Sequence, residues 1–109
     1  MFSEKFKDLG GQYLARTRED LDLLEQFVTK SIAGDTESVV AARNMAHRIC
    51  GSGAMLGFPE ISKISGEIEA IIRVADDGLV SADWAAITTL MQQLANELQH
   101  AKQQTSAPS

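Results

Sequence analysis

The sequence predicts an all-α protein, an antiparallel up-down-up-down four-helix bundle with a short extra helix at its N-terminus. Three observations carry this. Apolar residues recur at alternating steps of three and four along the chain, the period of helices with one buried face. The segments between periodic stretches are short, which forces neighbouring helices to run antiparallel. Two prolines, one Trp and one Tyr leave little material for β-turns and strands. At 109 residues the chain is long enough for one core and too short for two.

The elements follow in order. A short helix over about Phe2 to Leu9 is broken off by Gly10-Gly11. Tyr13, Leu14, Thr17, Leu21, Leu24, Val28 and Ile32 then form one stripe, and Gly34 reads as its stop. Asp35 or Thr36 caps the next helix, with Glu37 in the first turn, where the helix dipole favours an anion. Its stripe is Val39, Ala42, Ala46, Ile49, Gly53 and Leu56, and Gly57 ends it. Pro59 fits the first turn of a third helix, where its missing N–H is no loss. Ile61, Ile64, Ile68, Ile71, Ile72 and Ala75 form that stripe, closed by Asp76-Asp77-Gly78. Ser81 is placed to cap a last helix carrying Trp84, Ile87, Leu90, Met91, Leu94 and Leu98. The bundle is expected over residues 1–102, and the small polar segment 103–109 has the composition of a flexible tail or the start of a linker.

Composition excludes several functions. Ten basic against 15 acidic side chains give a net charge of -5, and the pI is about 4.9. That argues against nucleic-acid or anionic-membrane binding, which needs a dense basic face. One cysteine forbids an internal disulfide, so nothing points to an oxidising compartment. Charges stand where a signal peptide has its apolar segment, and no apolar run approaches the roughly 20 residues of a membrane span. A cytoplasmic monomer is the expectation. Imidazole chemistry falls to His47 or His100.

One stretch departs from a generic helix: Ala46-His47-Arg48-Ile49-Cys50-Gly51-Ser52-Gly53-Ala54-Met55-Leu56-Gly57-Phe58. Glycine inside a helix costs about 1 kcal/mol relative to alanine, so Gly51 and Gly53 must be opposed by some gain. If Ala46, Ile49 and Gly53 face the core, His47 is rotated about 100° toward solvent. Its same-face neighbours are then Arg43, Asn44, Cys50 and Gly51. Gly51 clears space beside the imidazole, while Gly53 permits close approach of another helix. Val40, Asn44, Cys50, Gly51, Ala54 and Met55 would make a low, partly apolar patch suited to a transient protein partner. The plainer alternatives are an inert surface histidine and edge-of-core apolar residues.

Ala46-His47, Gly51 four positions later, Gly57 ten positions later, the Phe58-Pro59 restart and the small-residue helix together resemble the histidine phosphotransfer (HPt) domain. That family includes the N-terminal phosphoacceptor domain of chemotaxis-type histidine kinases. The resemblance spans nearly the whole chain in length and helical order. It implies a phosphoryl carrier of a two-component phosphorelay with His47 as phosphoacceptor. Glu69, twenty-two residues on, stands where the chemotaxis-kinase form has a glutamate that accepts a hydrogen bond from the histidine ring. The family commonly has lysine three residues after the histidine; here that position is Cys50, and Arg43 or Arg48 is expected to supply part of the missing charge.

The chemistry suits these residue types. Neutral imidazole is a nucleophile near pH 7, one nitrogen attacking phosphorus while the other carries the proton and donates it in a hydrogen bond to a carboxylate. The resemblance implies two kinds of partner, a histidine kinase catalytic domain and a response-regulator receiver, the latter bringing an acceptor aspartate and Mg²⁺. The chain itself is expected to hold no cofactor or metal. It has no Gly-x-x-x-x-Gly-Lys-Ser/Thr loop, so it is expected to relay phosphate without an ATP site of its own, either alone or as part of a kinase. Two other classes compete: a helical interaction module with no phosphorylation, and a metal or thiol site at His47 and Cys50, which supplies only two of the four ligands a structural zinc needs.

Overall fold

The computed structural model describes residues 2–76 and 82–106, with side chains described for 9–75 and 82–104. Four helices follow one another: α1 (Phe2–Ile32), α2 (Thr36–Met55), α3 (Pro59–Asp76) and α4 (Trp84–Ser106). Each packs on its chain neighbours, and α1 closes the ring against α4. This is the contact pattern of an up-down-up-down bundle, here a rod of 50 × 19 × 18 Å.

The helix ends lie where local chemistry stops them. After α1, Gly34 adopts φ 105°, and the N–H groups of Gly34 and Asp35 return to the carbonyls of Ser31 and Lys30. After α2, Gly57 adopts φ 85°, and Phe58 N–H returns to Gly53 O at 2.8 Å. Both are left-handed glycine stops that satisfy the last carbonyls of a helix. Asp35 caps α2: Oδ1 accepts from Glu37 N–H at 3.1 Å, and Oδ2 accepts from the Ser38 hydroxyl at 2.8 Å. Asp83 caps α4, accepting from Ala86 N–H at 3.0 Å. The expected cap at Ser81 and the closing residues Asp77 and Gly78 lie outside the described residues.

Two expected boundaries move. The short N-terminal helix is not separate, because α1 runs unbroken through Gly10-Gly11 to Ile32. Neither glycine takes the positive φ that Gly34 and Gly57 use. Without that reversal a glycine pair only weakens a helix, by about 1 kcal/mol each. At the other end α4 continues to Ser106 instead of stopping near residue 102. Gln104 bonds to His100 one turn back, continuing the helical spacing.

The four stripes meet in one core. Leu21, Leu24, Ala42, Ala46, Ile68, Ile72, Ile87 and Leu94 lose all contact with solvent. Two stripe ends turn out: Ile32 and Leu56 are exposed, while Ser31 and Met45 are buried. The buried hydroxyls stay satisfied by bonding one turn back, Thr17 to Tyr13 O, Ser31 to Phe27 O and Ser65 to Ile61 O, each at 2.7 Å.

The α2 glycines differ sharply. A methyl group on Gly53 would lie 3.1 Å from the Ser62 backbone nitrogen, 3.1 Å from Tyr13 Oη and 3.3 Å from Phe58 O. Tyr13 also stacks on Phe58 at 5.2 Å between ring centroids and donates to Ile49 O at 3.4 Å. Gly53 is therefore where α1, α2 and the start of α3 close up. A methyl group on Gly51 would meet nothing within 4 Å.

Two measurements check this account. Gly53→Ala should destabilise by roughly 1–3 kcal/mol through overpacking against backbone atoms, outweighing the helix-propensity gain. Gly51→Ala should stabilise by about 0.5–1 kcal/mol. Urea unfolding of both variants decides it, and equal shifts would refute the distinction. The Ser38 hydroxyl, more than the backbone amides and Lys30, holds the Asp35 carboxyl below its ordinary pKa of 3.8. A depressed folded pKa contributes stability above the unfolded value and loses it as pH falls. The difference in melting temperature between the wild type and Asp35→Ala should thus be full at pH 6 and narrow below about pH 3.8.

Candidate functional site

The site grows from the register of α2. Ala46 and Ile49 are buried, so the residue between them that follows Ala46 turns onto the flank facing α3. That residue is His47, whose side chain keeps 71% of its surface exposed. Across the seam α3 offers Glu69, only 13% exposed, and its Oε2 lies 2.9 Å from His47 Nδ1. An ionised carboxylate can only accept. The ring nitrogen facing it is therefore a protonated one, and in the neutral ring the lone pair lies on Nε2.

Glu69 Oε2 has a second donor. Arg73, one turn further along α3, donates from Nη2 at 2.7 Å. Sequence reasoning missed this residue, although the four-residue spacing from Glu69 was a readable signal for a helix-surface ion pair.

The two arginines proposed from the sequence part company. Arg48 lies one residue beyond His47, hence about 100° further round the helix, and points to the opposite seam. Its guanidinium donates to Asp20 on α1 at 3.1 Å and lies 3.5 Å from Met45 Sδ. The expectation that Arg48 lends charge beside the imidazole is corrected: consecutive helix residues diverge, and Arg48 is bonded to α1. Arg43 is half-buried one turn before His47 on α2.

Cys50 turns into the α2–α3 seam. The Ser62 hydroxyl donates to Cys50 O at 2.8 Å, and Cys50 Sγ lies 3.6 Å from the Ser62 oxygen. Because Ser62 spends its one proton on the carbonyl, the thiol is the donor in the second contact. A methyl group on Gly66 would come within 3.3 Å of Cys50 Sγ, so Gly66 gives the thiol its room. Of the remaining patch residues, Val40, Asn44, Gly51, Ala54 and Met55 are exposed. His100 shares a hydrogen bond with Gln104 on the surface of α4.

Among the described residues, no helix is long and apolar enough to cross a membrane. Neither a curated protein nor a solved structure matches the chain. The family model of the Hpt domain matches residues 8–104, nearly its whole length. An exposed helical histidine held in a four-helix bundle thus meets an independent family match, and the chain belongs to the Hpt domain family, the phosphotransfer carriers of two-component phosphorelays.

Proposed function

We propose that His47 is the phosphoacceptor, taking a phosphoryl group from a kinase core or a receiver and passing it to a receiver aspartate. The observation that carries this is the 2.9 Å bond from His47 Nδ1 to Glu69, which leaves Nε2 as the nucleophile on a 71% exposed ring. In the transfer step the Nε2 lone pair forms the new N–P bond. The bond from phosphorus to the leaving oxygen breaks, and its electron pair goes to that oxygen. Nδ1 keeps its proton, donated in a hydrogen bond to Glu69, whose negative charge stabilises the positive charge the ring develops.

Alignment and charge carry most of the rate in phosphoryl transfer. Alignment comes from the rigid α2 scaffold. Arg43, one turn before His47, is the cation of α2 assigned to the phosphoryl charge. Gly51, with open space above it, and the exposed Val40, Asn44 and Ala54 give a receiver a low surface to approach; Cys50 adds its half-buried edge. The receiver brings the acceptor aspartate and Mg²⁺, and this chain acts as a cytoplasmic monomer with no ATP site of its own.

The test follows the label. Incubated with a phosphorylated receiver, or with a kinase core and ATP, the protein should gain an acid-labile, base-stable phosphate that is absent in His47→Gln. Label persisting in that variant, or an unaltered signalling response when His47 is replaced, would favour a plain interaction module instead. Glu69→Ala should keep the fold and slow transfer about 10- to 100-fold, since a misoriented nucleophile loses that much.

A further inference from the structure

Glu69 is shared between His47 and Arg73, and the phosphoacceptor reading uses only the first of these partners. We propose that Arg73 is a positioning residue of the transfer site, holding the Glu69 carboxylate on the imidazole and so fixing which ring nitrogen keeps the proton. The proposal rests on His47 being the phosphoacceptor, and it adds a residue that the sequence pattern alone did not single out.

Geometry supports it. Arg73 Nη2 and His47 Nδ1 approach the same oxygen, Glu69 Oε2, at 2.7 Å and 2.9 Å. A carboxylate held from both sides cannot swing to solvent without breaking two charge-assisted bonds. Glu69 is mostly buried while both partners reach solvent, so its carboxylate is the enclosed hinge of the trio.

Other charged and titratable groups stand around the ring. On α2, Arg43 and Cys50 stand one turn to either side, and the Cys50 thiol is bonded to Ser62. On α1, Asp20 is paired with Arg48. Glu69 and Arg73 are the groups that α3 brings to the imidazole.

The experiment reads the His47 ring by nitrogen NMR in the full, unphosphorylated chain, under conditions where the ring is neutral, comparing wild type with Arg73→Gln and Arg73→Lys. The wild-type ring should carry its proton on Nδ1. Arg73→Gln should shift the ring toward a mixture with the Nε2-protonated tautomer and slow phosphorylation, while Arg73→Lys, which keeps a charged donor, should restore both. A ring that keeps the wild-type tautomer in Arg73→Gln overturns the proposal. The measurement needs no phosphate, so failure of Arg73 is separable from failure of His47, which would show as label surviving in His47→Gln.

Discussion

The bond between His47 Nδ1 and Glu69 Oε2 ties the outward face of α2 to α3, and it holds only while those helices keep one register and one separation. Much of the local structure serves that requirement. Gly53 lets α2 settle against Tyr13 and the start of α3 with no methyl in the way. Gly66 makes room for the Cys50 thiol, and Ser62 stitches the seam through the Cys50 carbonyl. Phe58 returns its N–H to Gly53 and stacks on Tyr13, fixing the turn from which α3 departs. The carboxylate then arrives at the imidazole as a consequence of packing below it.

The same economy explains the glycines that look wasteful in the sequence. A helix interior loses about 1 kcal/mol per glycine, yet the chain places two in the turn after its histidine. Gly53 is offset by the inter-helix contact it allows. Gly51 has no such contact, since nothing lies near the place its side chain would fill. Under the proposed function its return lies outside the folded chain, in the clearance it leaves to a partner approaching His47.

The fold was legible in the sequence because helical period and end signals are local. Gly34, Asp35, Gly57 and Pro59 each act within a turn of where they stand, and each acts as the sequence indicates. The errors arose where the outcome depends on conformation or on a distant partner. Gly10-Gly11 has the composition of a helix stop, but stopping requires a left-handed backbone that neither residue takes. Arg48 has the right charge near His47 in sequence, but one step along a helix is 100° of rotation, and Asp20 waits on the other side. The Glu69 pairing with His47 became legible only through resemblance to a family, because the residues lie on different helices and no period relates them. Ile32 and Leu56 fit their stripes and are nonetheless exposed, since each sits at a helix end beyond its neighbours' reach.

His47 and Arg48 are consecutive, and they bond to opposite neighbours: one to α3 through Glu69, the other to α1 through Asp20. Two contacts on opposite flanks at one level resist a roll of α2 about its own axis. They also set the aim of the imidazole relative to the bundle as a whole. With His47 as the proposed phosphoacceptor, a partner meets a nitrogen whose direction the bundle has already set, and the adjustment on meeting falls to the partner's loops and to the angle at which the two bodies dock.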